Sequence, residues 1–237
     1  MTESIPASRS ITVYEEDFQL KVKGLKGILH PSEDLIRLVA RGRITATEPG
    51  EAALDFGVGD GRHVEYLMSL GYRVTGTDVA PSSLEVTQRL FKGNDRFRGI
   101  LLENSPELPF PDREFGLVLA WEVVHWLGSP ELFLKGMREF KRVLQPGGFI
   151  LLTMPTEAHY LKRYSLEIGK STYLCKTKRR MDCIFYSPNL FTLNHLFPNE
   201  LGLTVMQTLR YEYGSTSTES TLEERMSFYG FCLKAAS

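Results

Sequence analysis

The chain has 237 residues, a formal net charge of -1 and 42% hydrophobic residues. That is long enough for one large domain, or one domain with additions, around a real hydrophobic core. Near-balance of 28 basic and 29 acidic residues argues against a protein that grips nucleic acid non-specifically, although a local basic patch stays possible. No stretch approaches the roughly 18 apolar residues of a membrane span, so no membrane partner is expected. The polar start, Met1 to Ser10, lacks the basic and apolar runs of a signal peptide. Three cysteines without C-x-x-C spacing suggest neither a disulfide framework nor zinc, and no cluster of metal ligands is evident. The cytoplasm is the expected compartment.

Pro31-Ser32-Glu33 predicts a helix start, followed by apolar Leu35, Ile36, Leu38 and Val39. Glu51–Phe56 reads as a short buried strand running into glycines. A helix follows over Gly61–Leu70, with Val64, Leu67 and Met68 on one face. Tyr72–Thr77 is the next strand, and Pro81 opens the next helix. Phe97–Leu102 and Phe115–Trp121 read as strands, and Pro130–Leu144 as an amphipathic helix stopped at Pro146-Gly147-Gly148. Phe149–Met154 is a further buried strand. This alternation predicts a parallel sheet covered by helices. Thr156 to Tyr186 is expected to be a polar, irregular insertion. Beyond it come a helix beginning at Ser187-Pro188, strands over Leu203–Tyr211 and Phe228–Leu233, and a Ser/Thr-rich loop over Gly214–Thr221.

The most informative segment is Asp55-Phe56-Gly57-Val58-Gly59-Asp60-Gly61-Arg62, between a strand and a helix. Alternate glycines permit a tight turn and close approach of a ligand to the backbone, and amides at a helix start favour negative charge. Asp78 ends the following strand, where a carboxylate in a doubly wound sheet accepts hydrogen bonds from a ribose. A lone glycine turn is also an ordinary strand–helix connection. Asp78 and Asp55 together make it more. Gly57, Gly59 and Gly61, with Arg62 next, depart from the dinucleotide G-x-G-x-x-G spacing. Asp55 beside the turn suits a ligand carrying an amino group better than one carrying two phosphates.

These segments resemble the class I S-adenosylmethionine-dependent methyltransferases, from about Ala53 to Met154 and more loosely beyond. DFGVGDG matches the family's nucleotide motif, and Asp78 in GYRVTGTDVAP matches its ribose-binding acid. FGLVLAWEVVHWL and FLKGMREFKRVLQPGGFILLTMP are similar to its later segments. Asn104-Ser105, before Leu108-Pro109-Phe110, stands where the family often has an aspartate facing adenine. Asn still accepts through its side-chain oxygen. The resemblance implies an α/β fold: a Rossmann-like, seven-stranded, mostly parallel sheet with helices on both faces and an antiparallel C-terminal hairpin. It implies S-adenosylmethionine as cofactor, S-adenosylhomocysteine as product, and a domain over 51–237 with a basic insertion at 156–186, preceded by a helical cover over 1–50.

The implied cofactor contacts are Asp55, Gly57, Gly59, Gly61, Asp78, Asn104, Ser105 and Trp121, although Trp121 fits a core position equally well. His125, just after the fourth strand, is the candidate general base, since its unperturbed pKa suits proton transfer near neutrality. A packing histidine is the plainer alternative. His159 and Tyr160, after the fifth strand, are candidate substrate contacts. GLKGILHPSEDLIRLV resembles the leader of bacterial small-molecule methyltransferases, which makes His30 and Tyr14 further candidates. Between Thr156 and Tyr186, seven basic residues (Lys162, Arg163, Lys170, Lys176, Lys178, Arg179, Arg180) face Glu157, Glu167 and Asp182, a net +4. This is either a solvated face or a lid attracting an anionic small molecule. The expected reaction is methyl transfer to oxygen or nitrogen of a small molecule. An RNA or protein methyltransferase and a non-catalytic cofactor-binding module are the alternatives.

Overall fold

In the computed structural model the described residues are 15, 30–103, 105–177, 182–215 and 224–236. Seven strands form one sheet: β1 (Ala52–Phe56), β2 (Arg73–Asp78), β3 (Phe97–Leu101), β4 (Phe115–Ala120), β5 (Leu144–Pro155), β9 (Thr204–Ser215) and β10 (Glu224–Lys234), in spatial order β3-β2-β1-β4-β5-β10-β9. The pairings from β3 to β5 are parallel, whereas β10 runs antiparallel to both β5 and β9. The chain turns outward in both directions from the β1–β4 pair. Open α/β sheets bind ligands at such a switch point, beyond the strands' C-terminal ends.

Side chains alternate across the sheet and feed two cores. Leu54, Phe56, Val118, Ala120, Leu152 and Met154 face one side, where α4 (Pro130–Val143) and α6 (Leu190–Asn199) bury Phe133, Met137, Phe140, Leu193 and Phe197. Ala53, Leu117, Leu119 and Leu151 face the other side. There α1 (Glu33–Gly42), α2 (Val64–Ser69) and α3 (Pro81–Leu90) contribute Leu35, Leu38, Val64, Leu67 and Leu84. Helix α1 is therefore an integral part of the sheet's core. Its start carries Glu33 and Asp34, which pair with Arg37 one turn on. Helix α4 begins with Pro130 and with Ser129 accepting the Leu132 N–H at 3.2 Å.

Three expectations need correction. Strand β5 begins at Leu144, directly after α4, so the Pro-Gly-Gly segment lies inside an extended strand. The late helix starts at Leu190, with Asn189 as its cap through a 2.8 Å bond from the Thr192 N–H, rather than at Ser187-Pro188. The last two strands are longer than expected, reaching Ser215 and starting at Glu224.

The insertion at 156–186 is also more ordered than its composition predicts. It holds α5 (Tyr160–Arg163) and a separate antiparallel sheet of β6 (Ser165–Gly169), β7 (Thr172–Cys175) and β8 (Ile184–Tyr186). A third small core of Leu161, Cys175, Cys183 and Phe185 closes it, with Trp126 supplied by the segment after β4. That borrowed aromatic explains how strands of only three to five residues hold together. Lys178, Arg179 and Arg180 lie outside the described residues. Among the described residues, no helix is long and apolar enough to cross a membrane.

Candidate active site

The turn after β1 sits at the switch point. Gly57, Gly59 and Gly61 all have positive φ (76°, 54° and 80°), which other residues adopt only under strain. A Cβ at Gly57 would lie 2.6 Å from Val123 Cγ2, so this turn packs tightly against the segment that follows β4. Gly57 and Val58 donate their N–H groups to the Thr77 carbonyl.

Asp78 braces the same turn. Its Oδ2 accepts the Gly59 N–H and its Oδ1 the Ala80 N–H, both at 3.0 Å. Burial raises its pKa, and these backbone donors pull the other way. Each oxygen retains a second lone pair, so the bracing role and ribose binding are compatible. Asp55, at the end of β1, differs sharply. It is 1% exposed, and its Oδ2 is buried with no hydrogen-bond partner. Desolvation lifts its pKa from 3.8 to about 7, with Asp78 and Asp60 adding to the rise and Arg62 opposing it. A buried carboxylate without a donor is costly on its own. It fits a site that receives a cationic group from a ligand, as the amino group of S-adenosylmethionine would supply.

On the other side of the switch point, β4 ends in Trp121 and Glu122. Glu122 has a φ of 58°. It is clamped by Arg62 Nη2 (3.3 Å), the Tyr213 hydroxyl (3.0 Å) and the Tyr211 hydroxyl (3.1 Å), while its N–H donates to Thr153 Oγ1 at 2.7 Å. Tyr211 and Tyr213 lie two residues apart on β9 and so project to one face. From there they reach across β10 and β5 to the end of β4. Their rings stack with Phe228, and Tyr211 also stacks with Trp121 at 5.8 Å between centroids. Sequence reading missed this cluster. Its one available signal was the alternation of tyrosines in Tyr211-Glu212-Tyr213.

His125 lies in a short 3-10 helix, Val124–Leu127, and is 2% exposed, tilted against Trp126 and Phe228. His159 approaches the same Phe228 ring edge-on at 4.7 Å. Phe228 thus brings together the two histidines from the segments after β4 and β5. His159 Nδ1 accepts the Leu161 N–H at 3.1 Å. Its proton therefore sits on Nε2, which is buried and has no partner. Burial, helped by Lys162, lowers its pKa to about 3, so it stays neutral at working pH. Tyr160 stacks on it at 5.0 Å.

Trp121 is a buried core residue on the α1–α3 side, stacked on Tyr211. Ser105 follows position 104 and precedes Pro106 in the β3–β4 connection. His30 is exposed at the surface before Pro31. Asn104 and Tyr14 lie outside the described residues. Glu15 accepts the Ser82 N–H at the start of α3 (3.4 Å), a few residues beyond Asp78. Among the described residues there is no group of three or more His, Cys, Asp or Glu side chains placed to hold a metal.

Comparison with known proteins agrees with this geometry. Residues 54–152 match a family model described as a methyltransferase domain. A demethylmenaquinone methyltransferase of Clavibacter sepedonicus is 32% identical over 125 residues, covering 53% of this chain and 49% of that protein. A malonyl-[acyl-carrier protein] O-methyltransferase of Serratia marcescens is 28% identical over 167 residues, covering 70% of this chain and 60% of that protein. The chain thus spans about half the length of the curated relatives it matches. Among solved structures, a Methanosarcina mazei S-adenosylmethionine-dependent methyltransferase superposes with a TM-score of 0.67 at 18% identity, over 84% of this chain and 97% of that one. The Burkholderia thailandensis 1,6-didemethyltoxoflavin-N1-methyltransferase, crystallised with its substrate and S-adenosylhomocysteine, gives 0.64 at 16% identity, over 100% of this chain and 93% of that one. Residues 54–152 are thus a methyltransferase domain, set in the seven-stranded sheet that the chain shares with solved S-adenosylmethionine-dependent methyltransferases.

Proposed function

We propose that the protein transfers the methyl group of S-adenosylmethionine to an oxygen or nitrogen atom of a small organic molecule. The buried aromatic cluster at the rim, Trp121, Tyr211 and Phe228 with His125 and His159 beside it, carries this reading. Such a wall suits a compact organic acceptor. Two of the similar proteins are named for small molecules, demethylmenaquinone and 1,6-didemethyltoxoflavin.

The cofactor supplies an electrophilic methyl group, and the chain's residues bind and align. Asp55 would meet the ligand's amino group and Asp78 its ribose. Gly57, Gly59 and Gly61 would let it lie close to the backbone and Ser105 and Trp121 would stand beside the adenine, while Asn104, outside the described residues, is an adenine acceptor by sequence alone. His125 is the base where the nucleophile must lose a proton. His159 and Tyr160 contact the acceptor; His30, and Tyr14 outside the described residues, are further candidates from the sequence alone. The three free cysteines suit the reducing cytoplasm.

Incubation with methyl-labelled S-adenosylmethionine and cell extract tests this. Label is expected in a low-mass fraction that survives nuclease and protease. Label only in RNA or protein would replace the small-molecule acceptor. Absence of transfer despite cofactor binding would leave a non-catalytic module.

A further inference from the structure

A cavity of about 420 Å³ opens beyond the end of β5, separate from the glycine turn. Three cationic side chains line it: Lys162 and Arg163 from α5, and Arg225 from the start of β10. One carboxylate, Glu157, shares the lining, and it already accepts the Tyr229 hydroxyl at 2.8 Å.

The cations are only partly compensated. Lys162 is half-buried and lies over the Tyr173 ring at 5.2 Å; among the described residues it has no ion pair, although Glu157 and Glu167 attract it from farther off. Arg163, which is exposed, has no ion pair among the described residues. Arg225 has only a long pair, Nη1 to Glu212 Oε2 at 3.8 Å, while Arg210 (2.6 Å) and the Ser227 hydroxyl (3.0 Å) share that carboxylate through its other oxygen, Oε1. His159 adds an independent observation. It lines the same cavity, and its buried Nε2–H has no acceptor. A desolvated ammonium and an unsatisfied N–H donor beside one cavity each cost stability unless an anion answers them.

We propose that this cavity is an oxyanion subsite that holds a carboxylate or phosphate group of the methyl acceptor. Lys162, Arg163 and Arg225 supply the charge, and His159 Nε2–H supplies a directed hydrogen bond. His159 ties the subsite to the site described above, because its ring rests on Phe228, as does that of His125. An acceptor anchored here presents its other end toward His125. The subsite rests on the methyltransferase reading for its role, yet anion binding is measurable without it.

The test is calorimetry with inorganic phosphate and with malonate, at constant ionic strength set by sodium chloride. Wild type is compared with the double variant Lys162→Gln/Arg163→Gln. Saturable binding of at least one of the two anions, weakened about tenfold or more in the variant, is expected. Binding of phosphate alone points to a phosphorylated acceptor, and of malonate alone to a carboxylated one. Binding no stronger than chloride, or equal in the variant, overturns the subsite. S-adenosylhomocysteine is titrated into both proteins in parallel. Its unchanged affinity shows that the variant is folded, and its failure to bind wild type would count against the methyltransferase reading alone.

Discussion

Replacing Asp55 with asparagine keeps the side chain's shape and removes its ionisable group. Lifting a carboxyl from 3.8 to about 7 corresponds to at most about 4 kcal/mol. Between those values the folded protein holds a proton that the unfolded chain has released. Stability conferred by the protonated form is therefore lost as pH rises through this window, and the loss is complete above about 7. Relaxation and water penetration reduce the magnitude, so the expected gain of Asp55→Asn over wild type at alkaline pH is about 1–3 kcal/mol. That is about 2–4 °C of melting temperature per kcal/mol for a protein of this size. Buried His63 and His159 have lowered pKa values and give the opposite slope, but both proteins contain them and they cancel in the difference. Urea unfolding of the ligand-free proteins at a series of pH values reads that difference directly. It should be small near pH 4 (about the ordinary carboxyl value) and grow to its full size near neutrality. The same variant should bind S-adenosylhomocysteine at least about tenfold more weakly, because the amide cannot match an ammonium's charge. A stability difference that does not change with pH would refute the reasoning.

Asp78→Ala removes the acceptor for two backbone N–H groups as well as the proposed ribose partner. It should cost about 2–4 kcal/mol in chemical denaturation and abolish stabilisation by S-adenosylhomocysteine. Gly57→Ala places a Cβ against Val123 at a positive φ, so a loss of more than about 1–2 kcal/mol and weakened cofactor binding are expected by the same measurements. Glu122→Ala leaves Arg62 and two tyrosine hydroxyls without their common partner and should destabilise by about 1–3 kcal/mol. In the double variant Glu122→Ala/Tyr211→Phe the two losses should not add, because one contact is shared. In the pH–rate profile of the wild-type enzyme, His159 should contribute no step between about pH 5 and 8, since its pKa lies near 3.

The glycine turn and Asp78 were legible as a ligand-binding pattern because their signal is local. A turn with glycines at 57, 59 and 61 and an acid at the next strand end needs no distant partner to be recognised. What stayed hidden was the second function of Asp78: its bonds to Gly59 and Ala80 depend on the turn's closed shape. The acceptor side was less legible because it is assembled from afar. Tyr211 and Phe228 face Glu122 and His159 only through the register of β9 on β10 and of β10 on β5. The small sheet at 165–186 escaped notice because Leu166 and Ile168 remain exposed and its core depends on Trp126, some forty residues earlier in about the same rim. Local pattern cannot report a hydrophobic partner contributed by another loop.

The most direct measurement is calorimetric titration of the purified chain with S-adenosylhomocysteine and, separately, with NAD. Saturable binding of S-adenosylhomocysteine at one site per chain, lost in Asp78→Ala, with no binding of NAD, is the expected result. Binding of NAD without S-adenosylhomocysteine would contradict the assignment of the glycine turn, Asp55 and Asp78 to a sulfonium cofactor.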